Sequence, residues 1–333
     1  MGTIIVALIV FGVLVIFHEI GHFSIAKIAG IKVHEFAIGM GPRLLKLKDK
    51  ETEYSIRIFP IGGYVKMEGE DEASTDKRSF GNKPLLTRIL VILAGPLMNF
   101  VLAVLIFVTI FYSIGYPTTI INELTPGYPA ELVGLKTGDK IISINNSPIN
   151  NWDEIVQKIS SNKERRLNIT IERNTSVKTF TVLPIINEQT NQAVIGISPV
   201  FRKSLIKSIS PSFERIVFVM KGMMEFFVRL FGGKASAEDV VGPVGIIHLV
   251  GEAAKTNIYN VLNLAALISI NLGMVNLLPI PALDGGRLVF LFIEGILGKP
   301  IDPEKEGFIH LTGFILLIGL MIFMVYKDIM RFY

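Results

Sequence analysis

Cysteine is absent from all 333 residues, so the chain has no disulfide framework, no thiolate metal site and no cysteine nucleophile. Any metal it binds must be held by His, Asp or Glu. Charge is sparse too: 19% of residues are charged against 50% in the hydrophobic set, and the mean hydropathy is +0.52. So little polar material cannot cover an ordinary soluble domain, and the composition points to a membrane protein. Tryptophan occurs once, and the net charge of +4 is not gathered into a basic cluster among aromatics, so no nucleic-acid partner is expected.

What the chain does have is long apolar runs. Residues 2–17, 89–114, 256–283 and 308–326 contain no Lys, Arg, Asp or Glu. A helix rising ~1.5 Å per residue needs about 20 residues to cross a ~30 Å hydrocarbon core, which the last three runs supply. The first is long enough only if it continues through His18, Glu19 and His22 to about Ala26, which places three ionisable groups inside a membrane helix. A cleaved leader is the plain alternative, but no basic region precedes the run and no small-x-small site follows it. The expected spans are residues 1–26, 89–114, 256–286 and 307–330. A further apolar stretch, 212–231, gathers Glu214, Arg215, Lys221, Glu225 and Arg229 within about a 120° arc of a helical wheel, the pattern of an interfacial helix.

The segment 27–88 carries twelve Lys and Arg, so the positive-inside rule places it in the cytoplasm. Both termini and the long segment 115–255 then lie outside. Within 53–67, period-two alternation around Pro60 to Gly63 predicts a β-hairpin, either a membrane-associated one that dips into the bilayer beside the cytosolic ends of spans one and two or an ordinary cytosolic one. From 117 to 200 the composition becomes that of a soluble α+β module, with strands expected at 140–144, 166–172 and 179–183 and a helix at 152–160. Thr125-Pro-Gly-Tyr-Pro-Ala130, Gly134-Leu-Lys-Thr-Gly-Asp139 and Ile141-Ile-Ser-Ile-Asn145 resemble the PDZ domains of bacterial membrane and periplasmic proteases. Such a module implies a polypeptide partner, bound as an added strand, or a steric filter for one.

The chemistry is concentrated in His18-Glu-Ile-Gly-His22. On a helix, positions i and i+4 differ by about 40° in azimuth, so the two imidazoles present themselves side by side to one ion with Glu19 adjacent. Zinc suits such ligands, and a catalytic site keeps one position for water. Glu19 is then the candidate general base. By composition His-Glu-x-x-His is expected about 0.004 times in a chain like this, so chance is a poor explanation. A third ligand is needed. Asp284 is the first charge after 28 uncharged residues, in Asn276-Leu-Leu-Pro-Ile-Pro-Ala-Leu-Asp-Gly-Gly286, where Pro279 and Pro281 stop regular helix pairing. The expected topology brings Asp284 to the same side as His18 and His22. Taken alone it reads either as that ligand or as a helix-end charge at the interface.

These segments, with Gly39-Met-Gly-Pro42, Gly62-Gly-Tyr-Val65, Gly95-Pro-x-x-Asn99 and a PDZ between spans two and three, resemble the bacterial site-2 proteases, and among them the regulator-of-sigma-E group of intramembrane zinc metalloproteases. The resemblance covers nearly the whole chain. It implies four transmembrane helices, one Zn2+ on His18, His22 and Asp284, and Glu19 as catalytic acid and base. It also implies that Asn276, with the Pro279 and Pro281 segment, helps place the substrate strand, and that a membrane-reentrant sheet lies near 53–67. The single PDZ departs from members that have two. The implied activity is cleavage of single-pass membrane proteins, such as anti-sigma factors and remnant signal peptides, in the bacterial inner membrane near its cytosolic side. A non-catalytic PDZ scaffold and a transporter are the alternatives, and the absence of an inverted repeat argues against the second. His34, His248 and His310 read as structural or interfacial, and Gly242-Pro-Val-Gly245 as a turn near the membrane.

Overall fold

The first apolar run and the HEIGH motif form one uninterrupted helix, α1 (Gly2–Ile28). The computed structural model describes residues 2–70, 74–162, 165–187, 192–233, 241–299, 301 and 303–332. It divides into two units, Met1–Ile106 with Val219–Tyr333, and Phe107–Phe218.

In the first unit α1 is followed by β1 (Val33–Asp49), β2 (Thr52–Met67) and the greater part of α2 (Leu85–Ser113), whose last residues, from Phe107, belong to the second. The expected hairpin within 53–67 is corrected here. β2 does bend near Pro60 to Gly63, but its two arms do not pair with each other: Ile38 pairs with both Ile56 and Gly63, and Glu35 with both Glu53 and Lys66. The first part of β1 thus lies between the two arms of β2, while Arg43 to Asp49 pairs with the outer side of the first arm. The result is a sheet of four segments built from two long, bent strands, in which the two outer ladders are antiparallel and the central one, where 35–38 and 53–56 rise together, is parallel. Glu35 ties it together: Ser55 and Tyr64 donate to its carboxylate at 2.6 and 2.7 Å, Arg57 at 2.8 Å and Arg43 at 3.1 Å. Burial works to raise its pKa, yet these hydrogen bonds and the Arg57 charge outweigh it and hold the carboxyl down to about 2.

α1 and α2 cross at glycine. A β carbon on Gly21 would lie 2.2 Å from the Ala94 carbonyl oxygen, so the two backbones touch where a larger residue cannot fit. Later in the chain come α6 (Pro243–Thr256), α7 (Ile258–Asn276), α8 (Asp284–Leu297) and α9 (Pro303–Phe332), while α5 (Leu205–Phe231) crosses from one unit to the other and contains the expected interfacial stretch. Among the described residues, α1, α2, α7 and Lys305–Arg331 of α9 are long and apolar enough to cross a membrane. The third span is shorter than expected. Asn257 ends α6 and caps α7, accepting from the Asn260 amide at 2.9 Å, and the chain leaves helix at Leu277, so Asp284 starts a separate helix that the sequence pattern did not show.

The Gly242-Pro-Val-Gly245 segment is a helix start rather than a turn. Pro243 opens α6, and the buried Asp328 of α9 accepts from the Gly242 and Gly245 amides at 3.1 and 2.8 Å. Ionised carboxylates at helix N-termini satisfy donors that have no partner within the helix. Asp328→Ala is expected to cost about 1–3 kcal/mol of stability, read as a lower unfolding temperature of the purified chain with its zinc content unchanged.

The second unit has the strands and the helix expected of the α+β module. It contains β3 (Tyr116–Leu124), α3 (Pro129–Leu132), β4 (Lys140–Ile144), β5 (Ser147–Pro148), α4 (Trp152–Ser160), β6 (Leu167–Arg173), β7 (Ser176–Val182), β8 (Ile185–Asn187), β9 (Gln192–Val194) and β10 (Ile197–Arg202). The main sheet runs β10-β3-β4-β6-β7, with β5 paired to β4. Asn145-Asn146 and Asn174-Thr175 take positive φ at both positions, the turn that matches strand twist in tight hairpins. Ile121, Ile141, Ile155, Ile169 and Ile171 fill the core. Trp152, Ile155, Val156 and Ile159 of α4 face Gln192 to Ile197 across a groove of about 300 Å3.

Candidate metal centre

Helix periodicity puts His18 and His22 on one face of α1, and their Nε2 atoms are 3.2 Å apart. Asp284 arrives from the start of α8, its Oδ2 3.3 Å from His18 Nε2 and 3.6 Å from His22 Nε2. Tetrahedral ligands at zinc-like bond lengths of about 2.0–2.1 Å sit about 3.3 Å from one another, so the three donors have the spacing of one face of such a site. Asp284 Oδ2 is buried and no hydrogen bond satisfies it. A buried carboxylate oxygen in that state costs free energy unless a cation meets it. His22 Nδ1 donates to the Val91 carbonyl at 2.9 Å, which leaves the Nε2 lone pair free toward the common point. The donor set therefore fits a zinc ion, and no cysteine competes for it.

The chain behind Asp284 explains why glycine follows it. A β carbon on Gly285 would lie 2.1 Å from the Leu278 carbonyl oxygen, and one on Gly286 2.5 Å from that of Ile280. The connection from α7 folds directly over the first turn of α8, and only glycine admits it. Within it Ala282 adopts φ +75, and its amide donates to His310 Nδ1 at 2.8 Å. His310 thus has the structural role expected of it: it anchors the connection that delivers the third donor.

A cavity of about 210 Å3 opens over the donors, lined by His18, Glu19, His22, Gly63, Tyr64, Val65, Met67, Glu70, Ile92, Ala282, Asp284 and Arg287. Glu19 faces it beside the second arm of β2, where a β carbon on Gly63 would come within 3.0 Å of Glu19 Cγ. Arg287 is ion-paired with Glu70. Among the described residues, the lining does not include Asn276, Pro279 or Pro281. Asn276 ends α7 half-buried, Pro279 is exposed, and Pro281 packs on Gly313 of α9. His34 binds Glu68 at 2.6 Å and His248 lies in α6, neither of them among the three grouped donors.

Two features of the centre escaped the sequence reading. Val91 acts through a backbone carbonyl, which leaves no mark on residue type. Asn99 stands 3.1 Å from His18 Nδ1, and the only signal for it was its place in the Gly95-Pro-x-x-Asn99 segment.

The model of peptidase family M50 matches residues 6–320. A protein of Clostridium acetobutylicum named as a zinc metalloprotease is 42% identical over 98% of this chain and 97% of its own. The regulator of sigma-W protease RasP of Bacillus subtilis is 34% identical over 100% of this chain and 99% of its own, and the zinc metalloprotease RasP of Geobacillus kaustophilus is 34% identical over 99% and 98%. The chain belongs to peptidase family M50.

Proposed function

We propose that the chain is an intramembrane zinc endopeptidase that cuts single-pass membrane proteins in or beside their transmembrane segment, and that His18, His22 and Asp284 hold the metal while Glu19 moves the proton. The observation that carries this reading is the trio of donors at tetrahedral spacing, brought together by an apolar helix and by the segment after another. Zinc bound there supplies Lewis acidity, bringing a water's pKa to about 7 and polarising the scissile carbonyl. Glu19 takes the proton of the attacking water and returns it to the departing amine.

A peptide bond within a helix is shielded by its own hydrogen bonds, so the substrate must be unwound locally. The arm 63–67 of β2 pairs with β1 on one side and approaches Glu19 at Gly63, so an extended substrate laid along its other edge passes the proton carrier. Asn276 and the proline segment 279–281 are assigned to the same task, keeping chain after α7 out of helix near Asp284. The proposed setting is the bacterial inner membrane, with both termini and the PDZ module outside and the metal near the cytosolic side. Anti-sigma factors and remnant signal peptides are the proposed substrates.

Zinc analysis of the purified chain tests the assignment: about one zinc per wild-type chain and essentially none in His22→Ala. Equal zinc in both would remove these ligands and leave a PDZ scaffold as the better reading. The PDZ module is assigned to substrate filtering rather than chemistry. Replacing residues 117–199 by a flexible joint is expected to leave cleavage of an already shortened substrate within a few-fold while relaxing discrimination against full-length ones. Loss of all cleavage in a deletion that still binds zinc would make the module part of the catalytic assembly.

A further inference from the structure

α2 contributes no metal donor, since residues 85–113 contain no His, Asp, Glu or Cys, yet it touches both imidazoles from behind. Val91 accepts from His22 Nδ1, and one turn beyond Pro96 the side-chain amide of Asn99 meets His18 Nδ1 at 3.1 Å. Asn99 is fully buried, and its backbone is pinned to α7, where Ser269 Oγ donates to the Asn99 carbonyl at 2.8 Å. Gly95 lies between these two contacts: a β carbon there would be 2.2 Å from His22 Nε2 and 2.9 Å from His18 Cε1. The turn from Val91 to Asn99 is therefore shaped to receive both rings.

The direction of the Asn99 contact follows from the metal reading, on which this inference rests. A metal on His18 Nε2 leaves the ring's one proton on Nδ1, so Nδ1 can only donate. The amide must then turn its oxygen to the ring. The two ends of an amide exchange by rotation without moving its neighbours. This orientation gives Asn99 Oδ1 its donor and moves the NH2 to the position where the oxygen had no partner. We propose that Asn99 is a positioning residue of the metal centre, its side-chain oxygen accepting the Nδ1–H of His18 as the Val91 carbonyl accepts that of His22, so that α2 fixes the tautomer and aim of both ligands. Outer partners of this kind raise ligand basicity and hold the ring, and losing one typically costs about 10–100-fold in metal affinity.

The test is zinc affinity, measured on the full-length chain in detergent by competition with a chromophoric chelator, for wild type, Asn99→Leu, Asn99→Asp and His22→Ala. Asn99→Leu keeps the volume and loses the acceptor, and is expected to bind zinc about 10–100-fold more weakly. Asn99→Asp has acceptors only, so it keeps the bond and is expected within about three-fold of wild type or tighter. A packing role, or an amide donating to the ring, predicts the opposite order, because a buried carboxylate is then the worse replacement. Wild-type affinity in Asn99→Leu, or a ten-fold loss in Asn99→Asp, overturns the proposal. Should Asn99→Leu fail to fold, Asn99→Asp decides alone by the same thresholds. Undiminished zinc binding in His22→Ala would instead bring down the ligand assignment and this role with it, whereas loss in His22→Ala beside an unaffected Asn99→Leu removes only Asn99.

Discussion

Glu19→Gln is expected to leave zinc content and thermal stability unchanged and to slow cleavage by about 10²–10⁴-fold, the usual contribution of a positioned general acid and base. Gln has nearly the shape of Glu, so the close approach to Gly63 persists, and neither imidazole nor Asp284 loses a contact. What disappears is a group able to accept a proton from water at neutral pH. Cleavage of a membrane-anchored reporter, followed on gels beside a zinc assay on the same preparation, separates this from metal loss. Turnover at the wild-type rate in a zinc-loaded Glu19→Gln protein would take Glu19 out of the mechanism.

The parts of this molecule that were legible in its sequence are those set by local periodicity. Two histidines four apart on a helix must share a face, so half of the metal centre followed from spacing alone. Asp284 stood out because a charge ended a long uncharged run, and the proline pair before it announced non-helical chain. Helix α4 and strand β4 have the expected boundaries because a soluble module alternates its burial cleanly. The sheet of the first unit was not legible, since whether the second arm of β2 pairs with the first or crosses to the far side of β1 is decided by non-local ladders, and both patterns alternate alike. Helix α8 hid behind Gly285 and Gly286, residues that read as a turn by propensity but are required by the chain folded over them. Asp328 stayed hidden because its partners are backbone amides more than eighty residues away.

The same reasoning gives a variant expected to empty the centre without altering any donor. In Gly95→Ala the added carbon would sit 2.2 Å from His22 Nε2, 2.6 Å from its Cε1 and 2.9 Å from His18 Cε1, far inside contact distance. Two ways of relief exist. Either α1 and α2 separate, which their backbone contact at Gly21 and Ala94 resists, or the imidazoles swing away, which costs only side-chain rotation and the Val91 and Asn99 hydrogen bonds. The second is the cheaper, because it leaves the apolar packing of the helices intact. The folded protein should therefore survive with its ligands misdirected, and zinc affinity should fall by at least about 100-fold, the upper end of what loss of ligand orientation costs. Ala94→Gly, one residue away and facing α1 through its backbone, should bind zinc normally. Chelator competition and a thermal melt on each variant decide the matter: wild-type zinc affinity in Gly95→Ala would mean that the rings can retreat together with the metal, and that the tight seat on α2 does not aim them.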